Sequence, residues 1–416
     1  MGIIRVSGKI DRAEVERLIS RKSLRDEPAL GIVRRIVDAV RLRGDEAVIQ
    51  YTKEFDRVEL SPADLEVSED EIEVAYQGIP EEFVAALSLA RDNIKSFSQG
   101  QKVVPWTASK ENGASLGERV LPLSRVGVYI PGGRAAYPSS VLMNVVPAKV
   151  AGVEEIIMCV PPEEDGRVNR HTLVAAQIAE VDRIFRIGGA QAVAAMAYGT
   201  QTIPRVDKIT GPGNIYVTLA KKEVYGDVGI DMLAGPSEVL ILADGTADAD
   251  FVVADMLAQA EHDPKALAIL VTDSTELAES AEKRVKVENA RIILVGNMAS
   301  AIEVANIVGP EHLEIMTENP AEMVDEIMNV GAIFIGPYSP VAVGDYLAGP
   351  NHVLPTGGTA RFSSPLGVYD FVKRSSLVYY TPKGLARASQ AIQVLARAEG
   401  LVGHARSVGI RVKKSE

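Results

Sequence analysis

Apolar residues recur every three or four positions from Asp11 to about Gln99. Val33, Ile36, Val37 and Val40 form one such stripe, and Phe83, Ala86, Leu87, Leu89 and Ala90 repeat it. That period marks amphipathic helices, and Arg43-Gly44-Asp45 interrupts the first run. After Trp106 the pattern changes to short β-rich runs alternating with helical stretches: Val126–Ile130, Glu155–Val160, Arg183–Ile187, Val239–Ala243, Leu267–Thr272, Ile292–Val295 and Ala332–Ile335. Such alternation predicts parallel strands joined by crossover helices, hence an α/β fold.

The β-rich region separates into two blocks, each with enough strands for a small doubly wound sheet. The preceding helices need a sheet to cover, and attaching them to the second block predicts a discontinuous domain, 21–120 with 235–375. The first block then forms a domain over 121–234, with an arm at 1–20 and a tail at 376–416. In the tail, Leu385, Ala388, Ile392, Leu395 and Ala396 repeat at helix spacing with no strand to pair with, as expected of a helical segment that docks on another subunit. The predicted fold is thus α/β: two doubly wound, incomplete Rossmann-like domains, a helical N-terminal region and a helical C-terminal dimerisation tail.

A length of 416 residues exceeds a typical single domain, and 47% hydrophobic against 24% charged residues is enough to bury large cores. The net charge of −12 opposes nucleic acid or an anionic membrane as partner. The single cysteine, Cys159, excludes an internal disulfide framework. It sits in an apolar run that reads as a buried strand rather than a nucleophile's pocket. Met1-Gly2-Ile3-Ile4-Arg5-Val6 lacks an apolar signal core, and no apolar run approaches a membrane span. The expected setting is the cytoplasm.

Glycine loops follow several predicted strands: Tyr129-Ile130-Pro131-Gly132-Gly133-Arg134, Gly188-Gly189-Ala190-Gln191 and Thr210-Gly211-Pro212-Gly213-Asn214. Strand-to-helix loops of this kind let backbone N–H groups approach an anion at a helix N-terminus. None has the G-x-G-x-x-G spacing, so each reads equally as a phosphate cradle or an ordinary turn, and their grouping in one domain favours a nucleotide cleft.

Of the five histidines, four stand in chemically suggestive segments. Gln259 and His262 lie three residues apart on an apolar helix, on one face and within reach of a single ion; the other reading is a helix ending in surface residues. Glu311-His312 follows a predicted helix ending near Val308 and supplies two adjacent groups that can diverge around a substrate as separate acid–base centres. Gly344-Asp345 and Asn351-His352 set a carboxylate and an imidazole seven residues apart in a Gly/Pro-rich loop, and Glu399 and His404 flank the end of the tail helix. His171 begins a predicted surface helix and takes no role.

In these segments, together with Ala234-Gly235-Pro236-Ser237-Glu238, the chain resembles histidinol dehydrogenase nearly from end to end. The resemblance implies one zinc ion per subunit, held by Gln259, His262, Asp345 and, from the partner's tail, His404. It implies catalysis by Glu311 and His312 and NAD contacts at Tyr129, Gln191 and Asn214. Contacts to L-histidinol are implied at Ser237, Gln259, His262, His312, Asp345, His352, Glu399 and His404. The implied reaction is the four-electron oxidation of L-histidinol to L-histidine through an aldehyde with two NAD, the last step of histidine biosynthesis, in a homodimer whose sites are shared between subunits. The rival readings are a zinc- and NAD-dependent dehydrogenase of the same fold for another small polar alcohol, such as a sulfonated diol; a zinc hydrolase using Glu311; and a non-catalytic nucleotide-binding protein.

Overall fold

In a computed structural model of the chain, residues 2–6, 10–19, 26–111, 113–132, 136–262 and 264–413 are described, with the side chain of His262 excepted. They fall into two compact units, 1–101 with 123–371, and 102–122 with 372–416.

The first unit holds two parallel sheets. In the five-stranded one, Arg125–Tyr129 is central, with Glu155–Cys159 and Arg183–Phe185 to one side and Lys208–Thr210 and Gly229–Ile230 to the other. In the six-stranded one, Glu238–Ala243 is central, flanked on one side by Leu267–Thr272, Ala290–Leu294 and Ile3–Arg5, and on the other by His312–Met316 and Ala332–Ile335. The five-stranded sheet therefore starts in its middle, grows outward by two strands, then crosses back to the other side; the six-stranded sheet does the same from Glu238–Ala243, with the N-terminal strand Ile3–Arg5 added at its edge. That crossing is the doubly wound topology expected from the sequence. Every residue of Glu238–Ala243 and Leu267–Thr272 is buried, as parallel strands covered on both faces must be.

The helical block lies elsewhere than expected. Ala29, Val33, Ile36 and Val37 pack with Ile157, Phe185 and Val193, and Leu87, Ala90 and Ile94 pack with Val126, Val141 and Ile156. The helices Glu27–Arg43 and Glu81–Gly100 thus cover the five-stranded sheet, not the six-stranded one. An apolar stripe shows that a face is buried, but both sheets present equally apolar strands, so the pattern does not choose between them. Of the N-terminal helices, Arg12–Ile19 does cover the six-stranded sheet, through Val15 and Ile19. His171, assigned to a surface helix, instead opens the largely buried helix Arg170–Ile178 and meets the Phe83 ring edge-on at 4.8 Å.

Local chemistry sets the ends that matter for the site. Gly309, in the left-handed conformation at φ 57°, caps the helix Met298–Val308, and the chain turns back to deliver Glu311 and His312 at the amino edge of the six-stranded sheet. Asp244 stands at the opposite, carboxyl edge of the same two central strands. Its Oδ2 accepts the Glu318 N–H at 2.9 Å and its Oδ1 accepts the Thr246 N–H at 2.9 Å. Burial opposes its ionisation, but these donors hold the carboxyl below its usual range.

The second unit is an antiparallel sheet of Trp106–Ser109, Ala114–Pro122 and Val372–Tyr380, and two mutually packed helices, Pro382–Ala398 and Val402–Lys413. The expected start of the tail, 376, lies inside the last strand. Eight of that strand's nine residues are exposed, so it carries no alternation of apolar and polar positions to announce it. Among the described residues, no helix is long and apolar enough to cross a membrane.

Candidate active site

His312 opens the strand His312–Met316 and is buried. Its Nδ1 lies 3.1 Å from the Glu238 carbonyl oxygen, which only accepts, so Nδ1 carries a hydrogen and Nε2 is the nitrogen that gains or loses a proton. Nε2 is sealed from solvent without a hydrogen-bond partner; the nearest charge is Asp345 Oδ1 at 3.8 Å. Glu311 Oε2 accepts the Glu238 N–H at 2.9 Å and stands 3.7 Å from His312 Nδ1. The two neighbours therefore do not diverge, as expected from sequence, but form one electrostatic unit. Burial pushes the Glu311 carboxyl up to about 7, against the pull of His312 and of the hydrogen bond from Ser237. For His312, burial alone would lower the pKa, but Glu311 and Asp345 override it and push it up to about 9.

Around this pair the other candidates converge. Gln259, buried on the helix Ala249–His262, donates from Nε2 to Ser237 Oγ at 3.1 Å, leaving its amide oxygen as the remaining polar atom. His352 Nδ1 lies 2.9 Å from the Asp345 carbonyl and so donates to it, while its Nε2 accepts from Ser140 Oγ at 3.2 Å. The imidazole is thereby fixed in orientation with Nε2 facing the hydroxyl. A cavity of about 290 Å³ opens between His312, Phe334, Asp345, Asn351, His352 and Leu354, at the small end of ligand sites. Gly344 allows this closeness: a Cβ there would lie 2.6 Å from Phe334 Cε1.

The donors fit a divalent ion in kind. An amide oxygen and a carboxylate, with an orphaned imidazole nitrogen beside them, suit zinc or a similar borderline metal. Among the described residues no three His, Cys, Asp or Glu side chains gather as a metal group. Of the four expected ligands, the His262 side chain lies outside the described residues, and His404 belongs to the second unit, where it and Glu399 are exposed. Asp263, Gly133 and Arg134 also lie outside the described residues.

The glycine loops stand at the carboxyl edge of the five-stranded sheet: those after Arg125–Tyr129 and Lys208–Thr210 flank the switch point, where doubly wound sheets bind ligands, and the third follows the edge strand Arg183–Phe185. The Tyr129 hydroxyl accepts the Gly189 N–H at 3.1 Å. Gln191, the third residue of the helix Gly189–Tyr198, is buried, and its Oε1 has no hydrogen-bond partner among the described residues. Asn214 caps the helix Ile215–Val224 through the N–H groups of Tyr216 and Val217. Lys221 and Asp231 clamp the intervening loop from beneath: Lys221 Nζ donates to the Gly211 carbonyl at 3.0 Å, Asp231 Oδ2 accepts the Gly211 N–H at 2.8 Å, and the two side chains are ion-paired.

A family model described as histidinol dehydrogenase matches residues 19–412. The chain belongs to the histidinol dehydrogenase family. Relatives of that name include one from Clostridium acetobutylicum, 48% identical over 99% of both chains. Another, from Geobacter sulfurreducens, is 52% identical over 92% of this chain and 93% of its own. The crystal structure of histidinol dehydrogenase from Elizabethkingia anophelis superposes with a TM-score of 0.93 at 35% identity, covering 99% of this chain and 98% of that one.

Within this histidinol dehydrogenase chain, the structure brings Ser237, Gln259, Glu311, His312, Asp345 and His352 around one centre. It sets Tyr129, Gln191 and Asn214 about the glycine loops. Sequence reasoning missed Ser140, Phe334 and Glu238. Ser140 acts through His352, 212 positions away, and Glu238 acts through its backbone, which no side-chain pattern reveals.

Proposed function

We propose that the protein oxidises L-histidinol to L-histidine in two hydride transfers to NAD, by way of an aldehyde, in the cytoplasm. Zinc is held by Gln259, His262, Asp345 and His404, the last supplied by a second copy of the chain, with NAD against Tyr129, Gln191 and Asn214. The observation that carries the reading is His312 Nε2, buried and unpartnered at a cavity shared with Asp345 and His352. Zinc, when bound, would supply a Lewis-acid anchor that orients the polar end of the substrate.

The chain's own groups do the proton work. His312 Nε2, buried and without a hydrogen-bond partner among the described residues, is the base that takes the alcohol proton as hydride leaves carbon. Glu311, poised near neutrality, then takes a proton from the water that attacks the aldehyde. Positioned bases of this kind contribute ~10²–10⁴-fold. Ser237 and His352 orient the substrate, and Glu399 offsets the charge of its polar end. Exposed apolar residues on the second unit, Val378 at 69% and Leu395 at 65% among them, support a homodimer built through that unit.

The test is to follow NADH with L-histidinol and NAD, with and without a chelator. Two NADH per substrate, lost on chelation and restored by zinc, is the expected result. One NADH per substrate would remove Glu311 from its role, and none would move the substrate to another small polar alcohol.

A further inference from the structure

Asp56, outside every motif of the sequence, stands beside the nucleotide loops. The helix Asp45–Phe55 starts where the helix Gly189–Tyr198 ends: Thr202 Oγ1 donates to Asp45 Oδ2 at 2.6 Å, and the Asp45 N–H donates to Gln201 Oε1 at 2.9 Å. By Leu65 the chain has reached the other end of that helix, because the Leu65 carbonyl accepts the Arg186 N–H at 2.9 Å and Glu66 pairs antiparallel with Phe185. The two helices, of 11 and 10 residues and so each about 15 Å long, therefore run antiparallel, and Ala47 and Val48 share one core with Ala190 and Val193. Asp56, the C-terminal cap of the first helix, is thereby delivered to the end of the second that holds Gly189 and Gln191. Asp56 Oδ2 is sealed from solvent and has no hydrogen-bond partner among the described residues. The same is true of Gln191 Oε1, which is turned back over Gly189, where a Cβ would lie 2.7 Å from it. Buried acceptors without donors cost free energy, and a ligand that carries hydroxyls supplies what these two lack.

In dinucleotide-binding sheets of this topology, an acidic residue at the end of the second strand accepts from a ribose 2′-hydroxyl. Here the second strand of the five-stranded sheet, Glu155–Cys159, runs into Val160-Pro161-Pro162. The first carboxylate after it, Glu163, is held by the Asn169 side-chain amide at 2.8 Å. We propose that Asp56 takes this role from outside the sheet, its Oδ2 accepting the 2′-hydroxyl of the adenosine ribose of NAD, and that it thereby selects NAD over the 2′-phosphorylated form, NADP. The inference rests on the reading of the glycine loops as the NAD cleft. The adenosine end follows from the position of Asp56, over the edge strand Arg183–Phe185. The catalytic centre meets this sheet elsewhere, through His352 and Ser140 on the helix Pro138–Ala151 that follows the central strand, and the nicotinamide end belongs there. Burial pushes the Asp56 carboxyl up to about 6, so at pH 8 it is ionised and repels a phosphate placed on the same ribose oxygen.

The test is calorimetric titration of the full-length wild type and Asp56→Asn with three probes: NAD, NADP, and NAD whose adenosine ribose lacks the 2′-hydroxyl. Asparagine keeps the volume and removes a buried charge that has no partner, so the variant should melt no lower than wild type in the absence of nucleotide. A hydrogen bond to a charged group changes binding roughly tenfold to a hundredfold. The expected result is NAD affinity lowered by about that factor in Asp56→Asn, the 2′-deoxy dinucleotide bound equally by both proteins, and a narrower preference for NAD over NADP. Unchanged NAD affinity in the variant overturns the contact. An equal loss for NAD and the 2′-deoxy dinucleotide also overturns it, since Asp56 would then act on the cleft as a whole and not on the hydroxyl. A preference over NADP that stays as wide overturns the selectivity. A wild type that binds neither NAD nor its 2′-deoxy form removes the nucleotide reading itself, an outcome distinct from tight binding that ignores Asp56.

Discussion

Lys221→Met tests how the nucleotide loop is held. The lysine and Asp231 side chains are 3% and 1% exposed, so removing the cation leaves a carboxylate in the interior with only backbone donors, from Gly211 and Met232. Breaking a buried pair from one side costs about 3–5 kcal/mol, a large share of the ~5–15 kcal/mol that holds a typical domain together. The Gly211 carbonyl also loses its donor, at about 1–3 kcal/mol if it stays buried and unpaired. Part of that overlaps the first figure, so about 3–5 kcal/mol is the expected total. Because Gly211 lies three residues before Asn214, affinity for NAD should fall with it. Urea unfolding followed by circular dichroism measures the first effect and calorimetric titration with NAD the second. Lys221→Met/Asp231→Leu, which removes both charges, should recover much of the loss, leaving the unpaired Gly211 groups as the residue. A single variant that loses under about 1 kcal/mol with unchanged NAD affinity would refute the reasoning, as would a double variant no more stable than the single.

Ser140→Ala removes the donor to His352 Nε2; a net hydrogen bond of about 0.5–1.5 kcal/mol predicts a KM for histidinol raised a few-fold to about tenfold with little change in kcat, read from initial rates. Gly344→Ala forces a methyl into the Phe334 ring, and overpacking of about 1–3 kcal/mol should lower kcat/KM, with Phe334→Leu restoring part of it. Glu311→Gln should impair oxidation of the aldehyde more than of the alcohol in separate half-reaction assays; equal losses would count against its role. Since Glu311 titrates at about 7 rather than its ordinary 4.5, wild-type aldehyde oxidation should rise with pH through about 7. The stability contributed by its retained proton is full below about 4.5 and is lost as pH rises through about 7. Both dependences should vanish in Glu311→Gln, as pH–rate profiles and pH-dependent melting would show.

Much of this architecture was legible before any coordinates. Seven strands of the two parallel sheets announce themselves because buried parallel strands are largely apolar, as Leu267-Ala268-Ile269-Leu270-Val271 is, whereas Ile3–Arg5, Lys208–Thr210 and Gly229–Ile230 are too short to stand out. The strand His312–Met316 was not recognised, because a histidine and two glutamates at and beside its start mask the apolar run. The strand Val372–Tyr380 escaped because its exposed surface carries no period. The candidate site was read through residue types: His312, Asp345 and Gln259 are visible as ligating or proton-carrying groups wherever they stand. What holds them was not visible, since the contacts of the Glu238 carbonyl and the Ser140 hydroxyl arise only when distant segments meet. The helices of 27–100 show the same limit, for their stripe declares burial but not the neighbour.

The Asp244 turn has a consequence for stoichiometry. Each sheet possesses a crossing point at its carboxyl edge, the place where this topology ordinarily receives an anionic ligand. In the five-stranded sheet that place is edged by Gly211 and Tyr129, with no side-chain carboxylate of its own, among the described residues, across the N–H groups of the helix cap at Asn214. In the six-stranded sheet a resident carboxylate already occupies the N–H donors of Thr246 and Glu318, as a phosphate would. A chain built from two nucleotide-type halves should therefore saturate with one dinucleotide, its second cradle filled from within.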